Sequence, residues 1–222
     1  MAWWRKPTRV QVALHSRKAR KSEAYIVAAG FPELLEGRVR AKLPQVSERG
    51  WELVEQGLRE WFVCCAWRGN RTLGMPSRAV DEAWHEFILV TANYTGFCQA
   101  AYGHYLHHTP DEALTTPMPE ALAETVRAWD RSDLGCEAES VLWDLDRRLG
   151  IEEPFAGVSP SEREIARTRP PYPLATGWVG VPVGGYYLAA GTGGGTCGGG
   201  GGGEGGGGGC GGGGGCGGGG GS

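Results

Sequence analysis

Asp81, Trp84 and His85 stand at helical spacing in Val80-Asp81-Glu82-Ala83-Trp84-His85-Glu86-Phe87, and four of the chain's five histidines fall between residues 81 and 108. Tyr94, Cys98 and Gly103-His104-Tyr105-Leu106-His107-His108 complete the stretch. Imidazole, thiol and carboxylate are the groups that hold divalent transition metals or move protons near neutral pH. Asp81 and His85 are four residues apart, so on a helix they share a face. A carboxylate beside an imidazole fixes its tautomer and raises its basicity. That arrangement serves a metal ligand, a general base or a satisfied polar pair in a core.

The backbone decides whether further ligands reach His85. On one unbroken helix His85 and Cys98 would lie ~20 Å apart. Thr91-Ala92-Asn93-Tyr94-Thr95-Gly96 offers a break, because Thr91 is a competent N-cap and Asn, Thr and Gly are weak helix formers. A turn there carries Tyr94 and Cys98 back towards His85. Thr109-Pro110-Asp111-Glu112 has the form of a capping box with Pro at the first helical position, which sets His107 and His108 just ahead of a helix.

Two readings of the cluster follow. In one, His85, Cys98 and either His107 or His108 hold zinc, with Asp81 as a fourth ligand or as the partner that orients one, since mixed N/S/O ligation suits that ion. In the other, the same residues pack as a polar cluster and no cofactor is bound. The spacing His-x12-Cys-x9-His, counted to His108, matches no common metal signature. A Cys–His enzyme with Cys98 as nucleophile and His85 or His107 as base is the catalytic variant of the first reading. The chain has neither a G-x-S-x-G elbow nor a P-loop lysine, and no residue is assigned a catalytic role.

The elements that must position these residues are helical. Ser47 is an N-cap candidate, and Trp51, Val54, Leu58, Trp61, Phe62 and Cys65 follow at one helical stripe ending near Gly69. A shorter helix starts at Pro32 and carries Leu34, Leu35 and Val39. Ser77 caps a helix bearing Val80, Trp84, Phe87 and Ile88. Leu122, Val126 and Trp129 form one later stripe, and Leu142, Leu145 and Leu149 another that stops at Gly150. Strand-like alternation is confined to Trp178-Val179-Gly180-Val181.

The expectation is an all-α domain, a bundle of five or six helices over residues 22–150. From 151 to 190 the pattern is punctuated by Pro154, Pro160, Pro170, Pro171, Pro173 and Pro182 and reads as a Pro-rich linker. Pro-Pro-Tyr-Pro at 170–173 has the form of a polyproline ligand or a stiff connector, and Tyr186-Tyr187-Leu188 could pack back on the domain.

Both ends are compositionally biased. Between Gly191 and Ser222, 25 of 32 residues are glycine. Such a segment lacks the apolar side chains that would offset its ordering entropy, and disorder is expected. Its Cys197, Cys210 and Cys216 could bind soft metals or crosslink on oxidation, and the Gly-Cys and Gly-Ser steps resemble those of peptides converted to azoles. Residues 1–21 carry Arg5, Lys6, Arg9, Arg17, Lys18, Arg20 and Lys21 with no acid. They read as a basic, irregular extension with Trp3-Trp4 as an interfacial anchor candidate.

The net charge of −3 hides this asymmetry, because without those seven cations 15 basic residues face 25 acidic ones. An acidic body argues against a duplex-binding surface. Seven cysteines without a C-x-x-C pair fit neither a zinc ribbon nor a disulfide framework, and Cys64-Cys65 inside Trp61-Phe62-Val63-Cys64-Cys65-Ala66-Trp67 read as core fillers. No run approaches the ~18 apolar residues of a membrane span, so a soluble, cytoplasmic protein is expected.

Asp81-x-x-Trp84-His85, Tyr94-x-x-x-Cys98 and Gly103-x-x-Leu106-x-His108 resemble the helical domain of the glycine-rich-domain proteins, found in plants and as short uncharacterised bacterial proteins. The resemblance covers roughly residues 45–115, and the glycine-rich tail agrees with it. The plant pattern continues Asp-x-x-Trp-His-x-His, whereas this chain has Phe87 at the second His. The resemblance implies a structural helical core with a low-complexity tail and no established reaction. The function expected is a non-enzymatic binding or scaffold module whose partner, a protein among the candidates, is unknown. The alternatives are a zinc-binding or Cys–His site centred on His85 and Cys98, and a substrate modified on its Gly/Cys tail.

Overall fold

The computed structural model describes residues 9–109 and 114–171. Among these residues the structure is all-α: nine α-helices, one 3-10 turn and no strand. The helices are α1 (Arg9–Ala28), α2 (Leu34–Lys42), α3 (Glu48–Trp67), α4 (Arg78–Leu89), α5 (Thr91–Tyr102), α6 (Met118–Asp130), α7 (Asp133–Glu137), α8 (Leu145–Leu149) and α9 (Pro160–Thr168), with the 3-10 turn at Val141–Trp143 between α7 and α8. The expected helices correspond to α2 to α6; α1, α9 and the single-turn pieces add to them. No helix of the described residues is long and apolar enough to cross a membrane.

α3 is the axis of the fold. Ser47 caps it, its hydroxyl accepting from the Gly50 amide at 3.1 Å, which satisfies one of the free N–H groups at a helix start. Val54, Leu58, Trp61, Phe62 and Cys64 are buried along it, and α1, α4 and α6 pack around it. Gly57 lets α4 approach: a Cβ there would sit 2.8 Å from the Val80 side chain. Ser77 caps α4, its hydroxyl accepting from the Val80 amide.

Buried carboxylates hold the helix starts in place. Asp146, 3% exposed, accepts from the Ser77 hydroxyl at 2.6 Å and from the amides of Arg78, Ala79 and Phe155. Glu23 of α1 accepts from the amides of Asp133 and Leu134 at the start of α7 and from the Trp67 indole. Glu60 of α3 accepts from the Ser140 hydroxyl and the Val141 amide. In each case a negative group meets the positive end of a helix or turn on a distant part of the chain.

The structure corrects three expectations. The basic segment is not irregular from Arg9 onward, because α1 includes residues 9–21, and Ala19, Ser22, Glu23 and Ile26 recur as its buried face. No Gly or Pro interrupts residues 8–29, and Ala, Lys and Arg are good helix formers. The domain does not end at residue 150. Ile151 and Val158 are buried, the Val158 amide donates to the Trp143 carbonyl, and α9 packs on α6 through Ala166. Pro160 marks a start there rather than a break, since Ser159 and Glu162 form a capping box with Pro inside the first turn. The Leu142–Leu145–Leu149 stripe is divided by Asp144 into the 3-10 turn and α8, which ends on left-handed Gly150.

Trp3-Trp4, the Thr109-Pro110-Asp111-Glu112 box beyond Thr109, the Pro-Pro-Tyr-Pro segment beyond Pro171, Trp178–Val181, Tyr186–Leu188 and the tail with Cys197, Cys210 and Cys216 lie outside the described residues.

Candidate metal centre

The chain turns between Asp81 and His108 at Val90, one residue before the expected N-cap. Val90 leaves the helical region, its amide donates to the Phe87 carbonyl, and α5 starts at Thr91 without a side-chain cap. α5 packs back against α4 and α1 through Tyr94, Phe97, Cys98, Ala101 and Tyr102. It ends on Gly103, whose φ of 75° reverses the chain. In the loop that follows, Leu106 is buried, His107 exposed and His108 half-buried.

Tyr94 fastens that loop. Its hydroxyl is fully buried, accepts from the Trp84 indole N–H at 3.0 Å and donates to the Leu106 carbonyl. Burial also pushes the phenol far above its ordinary titration range, so it stays a donor. With Leu106 pinned, the His108 ring lies on Trp84 with centroids 4.3 Å apart, and at the same distance from the His85 ring.

Asp81 joins the two imidazoles. His108 Nε2 is 2.9 Å from Asp81 Oδ1. His85 Nδ1 is 2.9 Å from the Asp81 carbonyl and 3.3 Å from Oδ2. Both acceptors are oxygens, so a facing nitrogen that makes these contacts is the donor, and it gives up that proton where it ligates a metal. One donor atom from each of Asp81, His85 and His108 lies within 4.8 Å of the others. Asp81 and His108 are mostly covered at 20% and 16% side-chain exposure, whereas His85 is 46% exposed. The cluster is therefore walled on one side and open to water on the other.

The other candidate ligands stand elsewhere. Cys98 is buried, and the residue brought to His85 by the Val90 turn is His108 instead. The α5 register turns Cys98 into the core with Tyr94 and Tyr102. Burial raises its thiol, and contacts with the Leu106 backbone and Tyr94 offset only part of that rise, so it is a poor nucleophile or ligand at neutral pH. His107 is exposed and lies beside Tyr105, ring centroids 4.9 Å apart. Phe87 is 1% exposed among Phe31, Phe62, Tyr94 and Phe97, on the core side of α4. Cys64 and Cys65 are buried as expected, and all four cysteines of the described residues are free.

Sequence reasoning missed the Leu106 carbonyl as the anchor, since a backbone acceptor leaves no mark on residue type. It also missed Glu86, buried at 2% and paired with Arg38 and with Lys42 at 2.7 Å. That pair ties α2 to α4 one turn beyond Asp81.

No curated protein and no solved structure matches the chain. One family model does, over residues 21–158, from within α1 to the segment before α9, and so over more than half the chain and the whole cluster. The chain belongs to the UCP032817-like family.

Proposed function

We propose that the helical domain is a binding module that takes a zinc-type divalent ion at Asp81, His85 and His108. The observation that carries this reading is the convergence of two imidazoles and one carboxylate from α4 and the loop after α5 within 4.8 Å. Two nitrogens and one oxygen suit zinc and related transition ions, and three protein ligands leave a position for water or for a donor from a partner.

Binding is favoured over catalysis because Cys98, the nucleophile candidate of this stretch, is buried and burial raises its thiol above the ordinary range. We extend the proposal to the resemblance with glycine-rich-domain proteins, because Asp81, Trp84, His85, Tyr94, Leu106 and His108 build this corner together.

The test is zinc titration of the full chain, followed by metal content and thermal unfolding. Zinc at a hundredfold excess over Kd stabilises by about 2.7 kcal/mol. His85→Ala and His108→Ala should each abolish that gain, and Cys98→Ala should retain it. If the wild type takes no zinc and His108→Ala only lowers stability, the cluster is a polar packing unit and the proposal fails.

A further inference from the structure

His104 belongs to the histidine-rich loop but not to the Asp81 cluster. It lines a separate hollow of about 160 Å³ between α1, the end of α3 and the turn after α5. Lys18 and Ser22 come from α1, Cys65 from the end of α3 with Arg68 just beyond it, and Tyr102 from the end of α5 with His104 in the turn that follows. No Asp or Glu is among the lining residues, in a chain with 25 acidic and 22 basic side chains. Among the described residues, neither Lys18 nor Arg68 forms an ion pair with a carboxylate.

The rest of the wall is neutral. Burial raises the Cys65 thiol to about 12, with Arg68 opposing the rise. Tyr102 is buried, donates its hydroxyl proton to the Phe62 carbonyl and titrates well above its usual range. Neither group offers a negative charge at neutral pH. Burial lowers His104, and Lys18 and Arg68 lower it further, with a smaller push from His107 and an opposing contribution from the Tyr102 backbone. Lys18 and Arg68 thus line a small concave space together with an imidazole whose protonated form they disfavour, and a bound anion that offsets their charge lets His104 take up its proton.

We propose that this hollow binds a small phosphate-type oxyanion, with Arg68 and Lys18 supplying the charge and His104 the third donor. The volume limits the ligand to a free phosphate or the phosphate end of a small monoester. The site is independent of the proposed metal centre, although Leu106 borders the hollow while its carbonyl is held by Tyr94.

The experiment is an NMR titration of the full chain with inorganic phosphate, following the His104 ring resonances at constant ionic strength set with chloride. Saturable shifts are expected, with the His104 midpoint moving to higher pH in the bound state. Arg68→Gln should weaken binding roughly tenfold or more, as loss of a charge-assisted hydrogen bond does. Zinc binding at Asp81, His85 and His108 serves as the check that this variant is folded, with circular dichroism where no zinc binds. Lys18→Gln provides a second variant should Arg68→Gln fail to fold. Repeating the titration with glycerol 3-phosphate separates the sources, since tighter binding of the monoester assigns the hollow to an esterified phosphate. Shifts that do not saturate, that chloride reproduces, or that survive both substitutions unchanged would overturn the proposal.

Discussion

The buried hydroxyl of Tyr94 donates to the backbone carbonyl of Leu106, and this bond ties the loop that carries His108 to the helix after the Val90 turn. The same hydroxyl accepts from the Trp84 indole, so Tyr94 sits between the ring on which His108 rests and the loop that delivers it. Tyr94→Phe keeps the ring and removes both bonds, leaving a buried N–H and a buried C=O without partners. The expected cost is about 2 kcal/mol or more in urea denaturation. Zinc affinity should fall as well, because His108 loses its tether. Unchanged stability in Tyr94→Phe would mean that other contacts hold the loop.

Two buried glutamates should respond to pH with opposite signs. Burial raises Glu60, and hydrogen bonds from Ser140, Gln56 and the backbone at Val141 and Leu142 offset only part of this. The folded state then holds the Glu60 proton more tightly than the unfolded chain does. That contribution is present below the ordinary carboxylate range and is lost as pH rises through the raised folded value. The stability of wild type minus that of Glu60→Gln should therefore fall between pH 4 and neutrality. For Glu86, burial pushes upward but the hydrogen bonds and charges of Lys42 and Arg38 outweigh it, and the net shift is downward. Its contribution is present above the ordinary range and is lost as pH falls through the lowered value. The advantage of wild type over Glu86→Gln should shrink on acidification, and a pH-independent difference in either pair would contradict the assignment.

Asp146 provides a test of the fold itself. It accepts from the Ser77 hydroxyl and three amides, two of them at the start of α4. Asp146→Ala strips those donors in a buried setting and should cost about 3 kcal/mol, above the usual range for an exposed N-cap. Asp146→Asn, which keeps one acceptor oxygen, should recover part of the loss in the same denaturation assay.

The legible part of the structure is the part written in side-chain periodicity and capping residues. Ser47 and Ser77 cap α3 and α4 as read, and the α3 stripe from Trp51 to Cys65 runs along the core. α1 was hidden because Ala, Lys and Arg dilute its buried positions. α9 is hidden because Pro160 reads as a breaker although Ser159 and Glu162 frame it as a helix start. At the candidate site, the pairing of Asp81 with His85 followed from i,i+4 geometry. The choice of His108 over Cys98 and His107 did not, because it depends on the register of α5 and on how the loop after it is held. Both are set by tertiary packing around Tyr94 and Gly103.

Position 87 allows the geometry to be separated from the sequence pattern. A His there would complete Asp-x-x-Trp-His-x-His and would look, in sequence, like an added ligand. In the structure Phe87 packs edge-on against Phe31 and Tyr94, with centroids 5.3 and 5.2 Å apart, on the face of α4 turned to the core. Two residues along a helix is a rotation of roughly 200°, so side chains at 85 and 87 point to nearly opposite sides. Phe87→His should therefore lose aromatic packing and bury an imidazole without a partner, costing about 3 kcal/mol. Zinc should bind the folded variant with unchanged stoichiometry and affinity, since no ligand has been added at the Asp81 cluster. A marked gain in zinc affinity would instead require α4 to rotate on binding, and would show that the core face and the metal face exchange places.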